Sequence, residues 1–272
     1  MIVPIDDPDD PRIAGFREVR ERDLVGRQRG FMAEGEVVLR LLAGRLDREA
    51  CTPLGHRLAS LLLSEGQAER LAELVRALPP ALPVHVAGQK VMDQVVGFPI
   101  HRGILALGAA APAADARALL SGLGPRALVV GAVGLANHDN MGGLFRNAAA
   151  FGADLVLLDA ASCDPLYRKA IRVSVGASLI VPFARLPDAA AMTAALDEAG
   201  CSVVALSPAG REPLSALVRP AKAAALFGTE GPGLPETVLA RVRTVAIPMA
   251  PGFDSLNVAT TSGIVLHHLA QG

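Results

Sequence analysis

A glycine-rich segment between residues 226 and 234 has the composition of a ligand-binding loop. An apolar strand ends at Phe227 and is followed by Gly228-Thr229-Glu230-Gly231-Pro232-Gly233. Glycine has no Cβ, so the backbone can adopt positive φ and a ligand can lie directly against amides and carbonyls. Glu230 is the only charged residue of the loop, and open α/β sheets bind ligands at the carboxyl ends of their strands. The segment therefore predicts a ligand site, although a simple glycine-rich turn would have the same composition.

A second segment, Asn140-x-Gly142-x-x-x-Arg146, is typical of a helix that begins close to a ligand. Asn140 is a favourable helix N-cap. Gly142 and Gly143 each cost about 1 kcal/mol in a helix relative to Ala, so they favour an N-terminus that a large group approaches. Arg146 lies one turn later, within reach of a phosphate bound there. The alternative is an ordinary capped helix with Arg146 in solvent.

A third segment, Ser255-Leu256-Asn257, precedes the last predicted helix and follows a Pro-Gly loop. Ser and Asn are both normal helix caps, so one of them needs no further role. Two of them together, after a strand end and a second glycine loop, indicate a functional site. Ala259, Thr260 and Gly263 keep the helix narrow, which predicts close packing against another element.

The elements that must position these segments alternate between strands and helices, and the crossovers are short and mostly helical. This pattern predicts an α/β fold with a parallel sheet. The predicted strands of this sheet are 127–133, 155–158, 179–183, 202–206, 223–227 and 244–248.

A smaller α/β/α layer domain is predicted over residues 12–107, and an Ala-, Pro- and Gly-rich linker over 108–124 separates it from the domain at 125–272. Residues 1–10 have the composition of a frayed acidic tail, and Pro11 to Leu24 has helical spacing. Basic residues exceed acidic ones between Arg12 and Arg57. That surplus is compatible with an RNA-phosphate patch or with a solvated face carrying its own ion pairs.

The overall composition excludes several classes of protein. The net charge of −1 gives no general affinity for nucleic acid, so a site for a polyanion must be a local patch. Three widely spaced cysteines form no metal motif and fit a reducing compartment. The sequence contains neither a run of about 18 apolar residues nor a recognisable targeting peptide, so we expect a cytoplasmic protein without a membrane span or a metal site.

Together, the three segments resemble the three motifs of the SpoU/TrmH branch of the SPOUT RNA methyltransferases, in the same order and at similar distances. Thr229 departs from that pattern, because the family commonly has Asn at this position. The resemblance implies methyl transfer from S-adenosylmethionine to a ribose 2′-hydroxyl of tRNA or rRNA. It also implies a C-terminal trefoil knot, a homodimer with sites at the subunit interface, and a ribosomal-protein-like substrate-binding domain at residues 12–107.

The resemblance assigns roles to individual residues. The expected catalytic set is Asn140, Arg146, Glu230, Ser255 and Asn257. The expected cofactor-binding set is Leu226, Phe227, Gly228, Thr229, Gly233, Ile247, Met249, Ser255 and Leu256. The expected RNA-binding set is Arg17, Arg20, Arg22, Arg27, Arg29, Arg168 and Arg172.

Two other functions compete with this interpretation. An RNA-binding or ribosome-assembly factor could keep the fold without turnover, but all the motif side chains are present. A Rossmann dinucleotide enzyme would carry GxGxxG directly after its first strand, with an acidic residue about 20 positions later. The segment 130–134, Val-Gly-Ala-Val-Gly, does not match that pattern.

Overall fold

A computed structural model describes residues 2–17, 30–44, 52–97, 99–100, 102–229, 231–253 and 255–271. The chain divides into two compact units. The first consists of Met1–Pro112 together with Leu166–Ile180, and the second of Ala113–Pro165 together with Val181–Gly272. The segment 166–180 lies within the domain predicted at 125–272, but its contacts group it with the first unit.

The first unit contains a mixed five-stranded sheet in the order β1-β4-β3-β5-β2. Strand β4 is parallel to β1 and β3, whereas β5 is antiparallel to β3 and β2. The strands are β1 (Ile2–Ile5), β2 (Gly30–Glu34), β3 (Arg57–Ser64), β4 (Val84–Ala87) and β5 (Ile104–Ala109). The helices are α1 (Glu36–Ala43), α2 (Glu65–Arg70), α3 (Ala72–Ala77) and α4 (Gln89–Val96).

Two expectations for this region are wrong. The N-terminus is not a frayed tail, because Ile2–Ile5 pairs with β4 and buries Ile5 in the core. Residues 11–16 form a 3₁₀ helix rather than the start of an α-helix, and the remainder of the predicted helix, from residue 18, lies outside the described residues. Further along the chain, Leu71 interrupts the helical segment and separates α2 from α3.

The second unit is built on a seven-stranded sheet in the order β10-β12-β9-β11-β6-β7-β8, and every pair of neighbouring strands is parallel. The prediction of a parallel sheet is confirmed. The strands are β6 (Ala127–Ala132), β7 (Leu155–Asp159), β8 (Phe183–Leu186), β9 (Ser202–Leu206), β10 (Glu212–Pro213), β11 (Lys222–Phe227) and β12 (Arg243–Ala246).

The described residues of the second unit form five α-helices: α5 (Ala116–Ser121), α6 (His138–Ala150), α8 (Ala189–Glu198), α9 (Glu236–Leu239) and α10 (Val258–Gln271). Helix α7 (Arg168–Val173) belongs to the segment grouped with the first unit. The strand expected at 179–183 begins only at Phe183, because residues 177–179 form a 3₁₀ turn. The two-residue strand β10 has too little sequence to carry a recognisable pattern.

Helices α6 and α10 are in close contact, as the small residues of the last helix predicted. A Cβ added to Gly143 would lie 2.4 Å from the Cβ of Ala259. The Nδ2 of Asn147 donates to the carbonyl of Ala259 at 2.6 Å and to the hydroxyl of Ser262 at 2.9 Å. Gly143 is therefore required by helix packing, and its presence in the first turns of α6 does not need a ligand to explain it.

We predict that Gly143→Ala lowers the thermal unfolding midpoint. Overpacking of this kind costs about 1–3 kcal/mol, which should exceed the helix-propensity gain of about 1 kcal/mol. Gly66→Ala is the matched control, because nothing lies within 4 Å of its added Cβ in helix α2. The control should stabilise the protein by about 0.5–1 kcal/mol. A higher midpoint for Gly143→Ala would show that the two helices are further apart than described.

Candidate functional site

A pocket of about 340 Å³ lies at the carboxyl edge of the parallel sheet. Its walls come from the ends of the adjacent strands β12, β9 and β11 and from the start of helix α10. The volume is within the range of small-molecule sites. The lining residues are Leu206, Ser207, Pro208, Phe227, Gly228, Thr229, Gly231, Gly233, Val245, Ile247, Met249, Ser255, Leu256, Asn257, Val258 and Thr261.

The glycine-rich loop after β11 folds back on itself to form one wall. Thr229 and Gly233 form an isolated antiparallel bridge, in which the amide of Gly233 donates to the carbonyl of Thr229 at 3.1 Å. A Cβ on Gly228 would lie 2.3 Å from the carbonyl carbon of Gly233, so only glycine permits this approach. Gly233 has a φ of +72°, which residues with a side chain rarely adopt.

The pocket collects most of the residues expected to bind a cofactor. Phe227, Gly228, Thr229, Gly233, Ile247, Met249, Ser255 and Leu256 all line it. Leu226 does not, because its side chain is fully buried in the core cluster, against Gly131. A contact from Leu226 to a ligand could involve only its backbone.

The expected catalytic residues are placed differently from one another. Ser255 and Asn257 line the pocket, whereas Glu230 lies outside the described residues. Asn140 is buried, and its Oδ1 accepts a hydrogen bond of 2.7 Å from the Nδ2 of Asn257. Arg146 is exposed on α6 and is not among the residues that line the pocket.

The expected helix cap at Asn140 is wrong. Helix α6 begins at His138, and the side chain of Asn137 caps it by accepting from the amides of Asp139 and Asn140. The chain offers three Asn or Asp residues between 137 and 140, and the sequence alone does not identify which one takes the cap. Asn140 is instead available for its contact with the last helix.

Asn257 has two functions in this arrangement. Its Oδ1 accepts from the amides of Ala259 at 2.9 Å and Thr260 at 3.4 Å, which caps helix α10. Its Nδ2 donates a hydrogen bond to Asn140. This bond connects the start of α10, where the third motif lies, to helix α6, which carries the second motif. The carbonyl and the amino group of the Asn257 side chain are therefore both hydrogen-bonded, which explains why an asparagine is found at this position.

A carboxylate that the sequence analysis missed supports the loop before α6. Asp159, buried at the end of β7, accepts from the amide of Gly134 at 3.0 Å and from the hydroxyl of Ser162 at 2.6 Å. Ser162 in turn accepts from the amide of Leu135 at 3.0 Å. The signal available in the sequence was an Asp at the end of a buried strand, on the same sheet edge as the glycine loop.

The predicted RNA-binding arginines are also divided by the structure. Arg20, Arg22, Arg27 and Arg29 lie outside the described residues. Arg17 forms an ion pair with Asp9. Within the first unit, Arg168 donates to the buried carboxylate of Glu34 at 3.0 Å, and Arg172 lies 3.8 Å from the same oxygen.

Other chemistries find little support in the described part of the chain. No group of three His, Cys, Asp or Glu side chains there could hold a metal ion. Burial raises the pKa of the Cys163 thiol to about 11 and also raises that of Cys201, so neither thiol is a thiolate at neutral pH. Among the same residues, none of the helices is both long enough and apolar enough to cross a membrane.

Comparison with known proteins agrees with this arrangement. The profile of the SpoU rRNA Methylase family matches residues 127–267. An uncharacterized tRNA/rRNA methyltransferase of Mycobacterium tuberculosis is 37% identical over 286 aligned residues, which cover 98% of this chain and 93% of the relative. A parallel sheet with a pocket at its carboxyl edge defines an α/β ligand-binding domain. The chain belongs to the SpoU rRNA methylase family and is an RNA methyltransferase of that family.

Solved structures show the same fold. The AdoMet-bound rRNA methyltransferase of Sinorhizobium meliloti superposes with a TM-score of 0.79 at 23% identity, covering 99% of this chain and 98% of that chain. A structure described as an RNA 2′-O ribose methyltransferase gives a TM-score of 0.78 at 23% identity, with the same coverage. At this level of identity, the likeness concerns the fold.

We predict that Asn257→Ser and Asn257→Ala separate the two functions of Asn257. Ser keeps a capping oxygen but is too short to reach Asn140, so it should cost about 1–3 kcal/mol for the buried, unpaired Oδ1 of Asn140. Ala also removes the cap, which adds about 1 kcal/mol. Chemical denaturation of the wild type and the two variants measures both losses in the free energy of unfolding. An Asn257→Ser variant as stable as the wild type would contradict the hydrogen bond between Asn257 and Asn140.

Proposed function

We propose that this protein transfers a methyl group from S-adenosylmethionine to a ribose 2′-hydroxyl of tRNA or rRNA. The observation that carries the proposal is the pocket at the sheet edge, where the glycine loop and the Ser255–Asn257 segment converge, and Asn257 contacts the helix that bears Arg146. Two comparisons support it. The Mycobacterium relative is named a tRNA/rRNA methyltransferase, and a protein of similar fold is described as an RNA 2′-O ribose methyltransferase.

The pocket fits S-adenosylmethionine in size and in the character of its lining. Apolar side chains of Ile247, Met249 and Leu256 suit the adenine and the thioether chain, and the glycine loop leaves backbone groups open to the polar parts. A structure of similar fold is described as AdoMet-bound. When bound, the cofactor would supply an electrophilic methyl group on a sulfonium.

Arg146 suits the orientation of the RNA better than proton removal. A guanidinium stays protonated at any physiological pH, so it cannot act as a strong general base. Its planar fork can instead hold the reacting hydroxyl and a neighbouring phosphate in one geometry. Alignment of the hydroxyl with the methyl group is then the main contribution of the protein to the rate.

The position of Arg146 favours a site completed by a second copy of the chain. Its side chain is exposed and lies outside the pocket lining of its own chain. The same unit exposes large apolar side chains outside the pocket lining, which a homodimer interface would cover: Val218 at 80%, Phe253 at 75% and Ile264 at 40%. We therefore propose a homodimer in which each pocket receives Arg146 from the other chain. The C-terminal trefoil knot and the substrate-binding role of the first unit stay predictions from the resemblance.

The direct test of the proposed function is methyl transfer to unmodified RNA. In vitro transcribed rRNA and tRNA are incubated with radiolabelled S-adenosylmethionine, digested to nucleosides and separated by liquid chromatography and mass spectrometry. The proposal expects label in a 2′-O-methylnucleoside. Label on a base would contradict the ribose assignment. RNA binding without transfer would favour the alternative of an assembly factor that kept the fold without turnover.

We predict that Arg146→Lys reduces turnover while leaving RNA affinity nearly unchanged. Lysine keeps the charge but loses the planar fork, so kcat should fall about tenfold to a hundredfold, as when a positioned donor is lost. RNA affinity should stay within about twofold, because the electrostatic contribution persists. Arg117→Lys, an exposed arginine on α5, is the control. Near-normal turnover of Arg146→Lys would contradict the geometric role.

We also predict that two inactive variants restore activity when mixed. Arg146→Ala lacks the arginine, and Gly228→Ala distorts the pocket loop, because the added Cβ would strike the backbone of Gly233. After unfolding and refolding together, the mixture should recover about a quarter of wild-type activity, since half of random dimers are mixed and each mixed dimer has one intact site. A mixture as inactive as its components would contradict a site shared by two chains.

A further inference from the structure

The first unit contains a second cavity, of about 460 Å³, next to the junction between strand β2 and helix α1. It is unlike the pocket of the second unit because its wall is rich in charged side chains. The polar lining is Glu34, Glu36, Gln67, Arg70, Arg102 and Arg172, and the apolar lining is Val37, Val38, Ile104 and Val175.

The two carboxylates of this cavity are already committed to other side chains. Glu34, only 6% exposed, accepts from Nε and Nη2 of Arg168 at 3.2 and 3.0 Å. Glu36 pairs with Arg40 at 2.7 Å and with Arg70. Hydrogen bonds from Arg40 and then from Arg70 lower the pKa of Glu36, so this carboxylate stays ionised at neutral pH.

Two guanidinium groups of the cavity are left with little to neutralise them. Arg172 lies 3.8 Å from Glu34, beyond hydrogen-bond distance, and that carboxylate is occupied by Arg168. Arg102 makes no ion pair or side-chain hydrogen bond with any residue that the structure describes. Among the described residues that line the cavity and their ion-pair partners, five arginines accompany two carboxylates, which leaves an excess of positive charge there in a protein whose net charge is −1.

Two residues with unusual backbone conformations, Gly35 and Val175, line the cavity together with these arginines. The side chain of Arg102 lies over Gly35, where an added Cβ would come within 3.0 Å of Nη1. Gly35 precedes α1 and provides no side-chain cap. Val175 has a φ of +55°, a strained conformation for a β-branched residue and the only such non-glycine residue among those described. Strain of this kind persists where surrounding contacts hold it, often at binding sites.

We propose that this cavity binds a backbone phosphate of the RNA substrate, held mainly by Arg102 and Arg172 with Arg70 beside them. The proposal rests on the proposed function, because it takes RNA to be the substrate. Planar guanidinium groups match the oxygens of a phosphate and can each donate two parallel hydrogen bonds. The unneutralised charge supplies attraction that does not depend on base sequence.

The cavity changes the assignment of RNA-binding arginines made from the sequence. Arg172 keeps its predicted role, and Arg102 and Arg70 join it, although their sequence surroundings gave no signal. Arg168 is 16% exposed and holds Glu34, so we assign it to fixing segment 166–180 against β2 rather than to direct phosphate binding. Because Glu34 accepts its hydrogen bonds from Arg168, the guanidinium of Arg172 is available to bind a phosphate.

The test is RNA binding by the double variant Arg102→Gln/Arg172→Gln, measured separately from methyl transfer. Fluorescence anisotropy with labelled, unmodified rRNA and tRNA transcripts gives the dissociation constant across about 50–200 mM salt. We expect binding about tenfold weaker at the lower salt, and a salt-dependence slope smaller by about one. Arg76→Gln, an exposed arginine of α3 outside the cavity, removes a comparable charge and should leave both values nearly unchanged.

Several outcomes would overturn the phosphate site. One is an unchanged affinity and slope in the double variant, with circular dichroism showing it folded. Another is an equal loss in Arg76→Gln, which would indicate a general charge effect. A third is thermal stabilisation by inorganic phosphate that the double variant loses, without any change in RNA binding, since the cavity would then take a free anion and not RNA.

The same experiment distinguishes failure of this site from failure of the proposed function. If the wild type binds RNA and the double variant does not, but neither transfers a methyl group to ribose, the phosphate site stands and the proposed reaction fails. If both proteins methylate RNA with the same KM, the reaction stands and the phosphate site fails. Calorimetric titration with S-adenosylmethionine should give the same affinity for both proteins, because Arg102 and Arg172 do not line the pocket at the sheet edge.

Discussion

The close contact between helices α6 and α10 is the constraint on which the candidate site depends. Gly143 lies against Ala259, and the side chain of Asn147 donates a hydrogen bond to the backbone carbonyl of Ala259 in α10. These contacts are possible only because small residues face each other at the crossing. They bring Asn140 within hydrogen-bond distance of Asn257, which is 117 residues later in the chain. Packing therefore brings the Asn140 and Ser255–Asn257 motifs together, although they are remote in sequence. The glycine loop lines the same pocket as Asn257 at the sheet edge.

The parallel sheet determines where a ligand can bind. Because β9, β11 and β12 run in the same direction and are neighbours, their carboxyl ends open on one side, and the loops that follow them line the same pocket. The glycine loop contributes a wall in which Gly228 approaches Gly233 too closely for any side chain. Asp159 stabilises the neighbouring loop through the amide of Gly134. Backbone geometry therefore shapes much of this pocket, which suits the recognition of a cofactor.

Much of the second unit could be predicted from the sequence, because buried strands and short helical crossovers leave a strong local pattern. The glycine loop and the Ser255–Asn257 segment were recognisable for the same reason. Contacts made only in the tertiary structure could not be predicted. The cap at Asn137 rather than Asn140, the ion pair of Arg168 with Glu34, and the pairing of Ile2–Ile5 with β4 all depend on partners remote in sequence or on a choice among equivalent residues. Val175 and its positive φ have no sequence signal, since valine does not favour that conformation.

The proposed binding site for S-adenosylmethionine is the pocket where the three strand ends meet the start of α10. Hydrogen exchange measured by mass spectrometry, with and without saturating cofactor, tests the location directly. We expect slower exchange in peptides that cover 226–234, 245–250 and 255–261, and no change in peptides from β2, α1 and α7. Protection confined to the first unit, or no protection at millimolar cofactor, would contradict binding in this pocket.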